Sequence, residues 1–398
     1  MFNEENDFIF DTPIKWTIIE MILRRNFGKS IKLGSKRRAE KTGEGAGLVS
    51  SLFTLFLDLE KNDFDLPDRL LLKVVSDEEC AQKAAIIHNT EHFIYKNANL
   101  WGFEETAKIP KYFGGADYEN KDINAGYFLC EFIEEISFVQ YHTNISVNGV
   151  AEVVKALARI NGYLLSNAAL LDQLKAFDAS AFGAKNYMRG GFGRESCSKN
   201  LLTVADRYPT LKEDARKLSN LAKTFGDVTK MWEEAGKYCK ISLLCHWDCH
   251  LGNVLWRRNG ETNDYEMLKI IDWQTAHLNN PLIDLCRITL TALSPDDFQK
   301  ELESLLNLYY KTLIEHSKGA LKLPWENFEE MKTAFEHVFP LKVVLLGSLL
   351  GMEFFVEKII SPLPESEKPA ARVSCEAKLH SYIHQAARYA EKWYSEYL

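Results

Sequence analysis

The sequence predicts an α+β chain in two lobes: a small β-rich N-lobe and a large helical C-lobe that carries a β-hairpin. Three observations predict it. Short apolar runs with strand character, separated by turn residues, occupy much of the stretch up to about residue 135. Past residue 150 helical periodicity dominates. One island of strand-like segments, residues 241–274, interrupts the helices. The lobes are expected at residues 1–135 and 136–398.

The elements follow in order. Residues 12–28 (TPIKWTIIEMILRRNFG) carry helical spacing and stop at Gly28. IKLGSKRRAEKTGEGAGLVSSLFTLFLDL reads as strand, glycine-bearing turn, strand. LPDRLLLKVV is a short strand bounded by Pro67 and Asp77. DEECAQKAAIIHNTEHFIYKNAN is a long helical pattern, and NAGYFLCEFIEE (124–135) a further strand ending in an acidic turn. Helical periods run through AEVVKALARINGYLLSNAALLDQLKAF, KEDARKLSNLAKTFGDVTKMWEEAGKYC, SPDDFQKELESLLNLYYKTLIEHSK, PWENFEEMKTAFEHVF and ARVSCEAKLHSYIHQAARYAEKWYSEYL. The island reads as strand, loop, strand, turn at Asn259-Gly260, strand.

Charge and composition exclude several classes. The formal charge of -8 opposes a general affinity for nucleic acid or anionic membrane. The strongest basic run, Lys36-Arg37-Arg38, reads as a solvated turn. The first residues are acidic and polar, unlike a secretory signal. The apolar run VVLLGSLLGMEFFV holds glycines and meets Glu353 and Glu357, short of a membrane span. The eight cysteines form no dense framework, so thiols in a cytoplasmic setting are expected. No obligate protein partner is evident.

Asp248, Asn253 and Asp272 are the centre of the chemical reading. Asp248 follows the apolar strand ISLLC, Asn253 stands five residues later, and Asp272 ends the strand MLKII. A hairpin between the last two segments brings its ends back to one place. Two carboxylates and an amide form the oxygen set that Mg²⁺ prefers. Asp272 and Asn253 are the expected metal ligands, and Asp248 the group that orients a substrate hydroxyl and takes its proton. A zinc site from Cys245, His246, Asp248, Cys249 and His250 fits poorly, because Cys245 and His246 are adjacent and no second paired set follows at a regular distance.

CHWDCHLGNVLW and IIDWQTAHLNNPLIDL resemble the aminoglycoside-phosphotransferase and choline-kinase superfamily, whose fold is protein-kinase-like and two-lobed. Within it they are most similar to the ecdysteroid-kinase-like (CHK kinase-like) group and its nematode branch, with C-H-G-D-L-W-x-x-N-x-L-W and I-D-[FWY]-Q. The resemblance implies that Asp248 is the catalytic aspartate and that Asn253 and Asp272 hold the metal. It implies that Asp284 steadies the catalytic loop and that His246 is a structural histidine of that loop. KTGEGAGLVSSLFTL resembles the family's phosphate loop, with Gly43, Gly45 and Gly47. Lys73 falls on the nucleotide-phosphate lysine and Glu91 on its partner. GYFLCEFIEE, with Glu131, resembles the adenine-side linker.

The implied activity is transfer of the γ-phosphate of ATP, with Mg²⁺, to a hydroxyl of a small, steroid-like acceptor. Only 11 residues separate Asp272 from Asp284, which leaves little room for a protein-kinase activation segment. Each residue also has a plain reading. The glycines could form an ordinary tight turn, Lys73 could face solvent, and Asp284 could simply favour a helix start. The departures are Trp247 where the family has glycine, His250 for tryptophan, Leu48 for phenylalanine and Asn161 for histidine. Trp247 motivates an alternative, a catalytically impaired nucleotide or ligand-binding protein. A metal-dependent hydrolase using Asp248, His246 and Asp272 is the third reading.

Overall fold

A computed structural model describes residues 7–28, 30–43, 50–59, 66–75, 81–118, 125–180, 193–350 and 355–398. The chain divides into two units: Met1–Glu135 with Ile271–Thr275, and Ile136–Ile270 with Ala276–Leu398. The expected α+β class holds, with a small sheet-bearing unit and a larger helical one.

The first unit opens with helix α1 (Trp16–Phe27). Its N–H at Gly28 closes back on the Arg24 carbonyl, and the φ of +128° there is one that glycine tolerates. An antiparallel sheet follows, in the order β1-β2-β3-β5-β4. Its strands are β1 (Arg38–Thr42), β2 (Ser51–Phe56), β3 (Arg69–Val75), β4 (Tyr112–Ala116) and β5 (Gly126–Glu131). Helix α2 (Ala81–Ala98) and a single turn, α3 (Phe103–Thr106), lie between β3 and β4 in sequence.

Side chains alternate across a strand, and β3 shows what that does. Leu70, Leu72 and Val74 join Phe53, Leu55, Tyr127 and Leu129 in one core with Ile19, Ile22 and Leu23 of α1. Lys73 points to the opposite face and pairs in register with Phe128. The rings of His88, His92 and Tyr95 from α2 pack on Phe128 there. The face that carries Lys73 is therefore covered by a helix and is not solvated.

The sequence pattern misses β4, because YFGGA contains two residues of low strand propensity. Close packing selects those glycines. A Cβ at Gly114 would stand 2.5 Å from Ile22 Cγ2 of α1, and one at Gly115 would stand 2.4 Å from the Tyr127 carbonyl oxygen.

The second unit contains α4 (Val147–Ser166), α5 (Ala168–Ser180), α6 (Arg194–Arg207), α7 (Lys212–Phe225) and α8 (Val228–Gly236). The pattern KEDAR…KYC is two helices, not one. The break falls at Gly226-Asp227, where the Asp227 carboxylate accepts the Thr229 and Lys230 amides and starts α8. Next come β6 (Leu243–Cys245), the hairpin β7 (Val254–Arg258) and β8 (Tyr265–Ile270), and β9 (His277–Asn279). The hairpin turns at Asn259, whose Oδ1 accepts the amides of Glu261 and Thr262. β6 pairs with β9, a partner too short and polar to read as a strand from sequence. Helices α9 (Leu282–Ala292), α10 (Pro295–His316), α11 (Phe328–Leu350), α12 (Phe355–Ile360) and α13 (Lys368–Trp393) complete the unit. Ser294 caps α10 by accepting the Asp297 amide, with Pro295 at the first helical position. Among the described residues no helix is long and apolar enough to cross a membrane.

Candidate active site

In the sheet unit, Lys73, Glu91 and Asp272 meet. Lys73 Nζ donates to Glu91 Oε2 at 2.5 Å and to Asp272 Oδ1 at 3.3 Å. Its side chain is 12% exposed and that of Glu91 2%, so the solvent-facing reading of Lys73 fails. Burial opposes the Lys73 ammonium, but the carboxylates of Glu91 and Asp272 outweigh it and hold the pKa above the ordinary lysine value. Burial pushes the Glu91 carboxyl upward while Lys73 pulls it back. Asp272 has φ of +67°, and its Oδ2 accepts from Gln274 Nε2 at 3.1 Å. Two carboxyl groups share this one ammonium.

Gly43 directly follows β1 with φ of +66°, a left-handed conformation that glycine takes without strain. Gly45 and Gly47 lie outside the described residues. The segment 43–50 leads from β1 into antiparallel β2. Glu131 ends β5, and its Oε2 accepts the Lys111 amide at 3.1 Å, tying the sheet edge.

In the helical unit the loop after β6 carries His246, Trp247 and Asp248. Asp284, 1% exposed in the first turn of α9, accepts the His246 amide on Oδ2 at 2.6 Å and the Trp247 amide on Oδ1 at 2.7 Å. Burial raises its pKa, against the two amides and the nearby cations. It is more than a helix-start residue. His246 is fully buried.

Trp247 answers the steric question its position raises. Its φ is +73°, a region that costs a non-glycine residue about 1–2 kcal/mol. The ring is 2% exposed and turns into the interior. There it packs edge-on against Trp232 at 5.1 Å and against His277 at 4.9 Å. Lys342 Nζ donates to the Trp247 carbonyl at 2.7 Å.

Asp248 keeps a side chain 36% exposed, open enough to be reached by a ligand. Arg287 of α9 donates to its Oδ1 through Nε at 3.2 Å and Nη2 at 3.0 Å. Burial alone would raise the Asp248 pKa, but Arg287, with His250, Lys342 and His246, brings it down to about 2. Asn253 ends a short turn and donates from Nδ2 to the Asp248 carbonyl at 2.9 Å. That bond fixes the amide so that Oδ1 is its ligand-capable atom. His250 accepts the Gly252 amide on Nδ1 at 3.0 Å, and Thr291 Oγ1 accepts the Leu251 amide at 3.1 Å.

Sequence reasoning missed Arg287 and Lys342. Arg287 stands three residues after Asp284 on one helix, a spacing that puts both on the same face. Lys342 is a single charge inside the apolar run FPLKVVLL, and that isolation was its signal.

The donors fit Mg²⁺ better than zinc. Among the described residues no group of three or more His, Cys, Asp or Glu could hold a metal ion. Asp272 offers a carboxylate and Asn253 an amide oxygen, each a donor of the kind Mg²⁺ takes.

Matches at residues 2–85 and 78–385 cover most of the chain and belong to the family DUF1679, described as "Uncharacterized oxidoreductase dhs-27". The chain is a member of that family. No curated protein matches it. Among solved structures it is similar to choline kinase from Cryptosporidium parvum Iowa II. That likeness has 14% identity, 95% of this chain and 99% of that chain covered, and a TM-score of 0.47. It is also similar to a macrolide 2'-phosphotransferase from Brachybacterium faecium, at 14% identity over 90% and 97% of the two chains with a TM-score of 0.35. An aminoglycoside phosphotransferase from Alicyclobacillus acidocaldarius matches at 10% identity over 92% and 94%, with a TM-score of 0.34.

Proposed function

We propose that this chain is a Mg-ATP-dependent phosphotransferase that moves the γ-phosphate to a hydroxyl of a small molecule. The observation that carries the reading is the buried Lys73, kept charged by Glu91 and Asp272. Lys73 would bind nucleotide phosphates, with Glu91 holding it in place. The backbone from Gly43 to Gly47 would approach the same phosphates. Asp272 and Asn253 would hold Mg²⁺, which neutralises phosphate charge when bound. Glu131 is assigned to the nucleotide side through the resemblance alone.

Asp248 orients the acceptor hydroxyl. Its low pKa makes it a carboxylate at every physiological pH and a weak base, so it accepts the proton as the new O–P bond forms and the bond to ADP breaks. Asp284 and His246 keep the loop in shape. The ecdysteroid-kinase-like motifs point to a hydroxylated, steroid-like acceptor. A cytoplasmic setting is part of the proposal, on the sequence reading that the cysteines form no dense disulfide framework.

The family description names an oxidoreductase. A dinucleotide fingerprint needs a strand feeding a helix. Here the strands described on either side of the glycine segment, β1 and β2, pair antiparallel.

The test uses the full chain, Mg-ATP and a broad panel of hydroxylated acceptors, with NADH and NADPH as controls. Turnover that falls at least a thousandfold in Asp248→Asn, with ATP affinity kept within threefold, is the expected result. Absence of Mg-ATP binding, or nicotinamide binding in its place, rules the proposal out. Binding without turnover on any acceptor moves the assignment to an impaired nucleotide-binding protein.

A further inference from the structure

Lys342 is 2% exposed, two residues beyond Pro340 inside α11. Its Nζ donates to the Trp247 carbonyl oxygen at 2.7 Å and stands 4.3 Å from the centre of the Trp247 ring. The ionisable groups that face it are Asp248 and Cys249 on the loop, and Asp284, Cys286 and Arg287 on α9.

Trp247 is the strained residue of the loop, and it is gripped on both sides. Asp284 takes its N–H and Lys342 takes its C=O. That carbonyl belongs to the peptide plane that runs through the Asp248 nitrogen to the Asp248 Cα. Fixing the oxygen fixes the plane from which the Asp248 side chain projects. A buried carbonyl also needs a donor, and a lysine from a helix far along the chain provides one.

We infer that Lys342 is a positioning residue for Asp248, locking the Trp247–Asp248 peptide plane and so aiming the carboxylate. The inference rests on the phosphotransferase reading for its effect on turnover, and on the loop geometry alone for its grip.

The charge of Lys342 matters to that grip. Only the ammonium is attracted to the ring face and to Asp248. Burial pushes its pKa down to about 8, with Arg287 adding to the fall. Turnover therefore declines as pH rises through about 8. Stability moves the other way. Between about 8 and the ordinary lysine value the unfolded chain binds this proton better, so the contribution of Lys342 to stability rises with pH. A purely structural lysine would not make activity and stability diverge in this way.

The experiment uses the full chain with Mg-ATP and water as acceptor, reading phosphate release, and hydrogen exchange of residues 243–251. In Lys342→Met, phosphate release drops at least tenfold, Mg-ATP affinity stays within threefold and loop exchange quickens at least tenfold. The alkaline limb near pH 8 is present in wild type and absent in the variant. Lys342→Gln keeps a donor without charge and falls between the two. It carries the test, with the wild-type pH profile, where Lys342→Met does not fold. Exchange and turnover within twofold of wild type in the variants overturn the inference. Wild type that neither binds nor hydrolyses Mg-ATP sinks the phosphotransferase reading. In that case faster exchange still supports the grip, and unchanged exchange removes it.

Discussion

Arg287 gives two guanidinium nitrogens to one oxygen of Asp248, Nε at 3.2 Å and Nη2 at 3.0 Å, both on Oδ1. The two donors anchor that oxygen by charge-assisted hydrogen bonds. Arg287→Met removes the first of the cations that hold its pKa near 2 against burial. The carboxyl then moves up toward the ordinary range or beyond. Activity is lost as pH falls through that pKa, so the acid limb of turnover shifts to higher pH. With the aim also loosened, turnover at neutral pH falls about 100-fold. A pH–rate profile of variant and wild type checks both, and coincident acid limbs contradict the account.

Lys73→Met leaves Glu91, 2% exposed, facing Asp272 with no cation between them. Removing one partner of a buried pair costs about 3–5 kcal/mol. Glu91 can escape part of that cost by keeping a proton, because burial already raises its pKa. The loss is therefore larger at pH 8 than at pH 5. Urea unfolding of both proteins at the two pH values measures it. An equal loss at both would show that Glu91 stays ionised throughout.

Trp247→Gly sets two effects against each other. Glycine releases left-handed strain of about 1–2 kcal/mol. It also empties the space of a buried tryptophan, a loss of about 3–5 kcal/mol. The cavity wins, and the variant is less stable by about 2–3 kcal/mol in guanidinium unfolding. A variant more stable than wild type would mean that the ring contributes little to the core.

Asp284→Ala strands two buried loop amides, those of His246 and Trp247. Each unsatisfied group costs about 1–3 kcal/mol, so thermal unfolding moves down markedly. Asp284→Asn keeps one acceptor oxygen and loses less. Equal losses in the two variants would argue against the amide-binding role.

The sequence showed the strand-and-helix order, the hairpin at Asn259-Gly260 and the side chains whose chemistry is local. Asp248 and Asn253 are five residues apart, and one turn joins them. Lys73 and Glu91 were legible because a lone lysine in an apolar strand is followed by a helix. The strand β4 was hidden because its glycines answer to α1, a contact that propensity does not encode. The inward turn of the Trp247 ring was hidden too. It depends on Trp232 and His277 as neighbours. Lys378 shows the same limit. It is fully buried on α13, donating to the carbonyls of Tyr141, Thr143 and Thr291, and burial lowers its pKa to about 7. In a helix pattern it reads as an ordinary surface lysine.

Asp272 follows Lys73 by 199 residues, yet Ile271–Thr275 group with the sheet unit. A chain leaving the ribosome N-terminus first can build the sheet, α2 and the Lys73–Glu91 pair early. It holds a neutral pair at that stage. The second carboxylate arrives only after residue 270, when α4 to α8 and the β7–β8 hairpin have been made. A nascent chain thus gains its second carboxylate beside Lys73 late, only after Asp248 and Asn253 have also been synthesised.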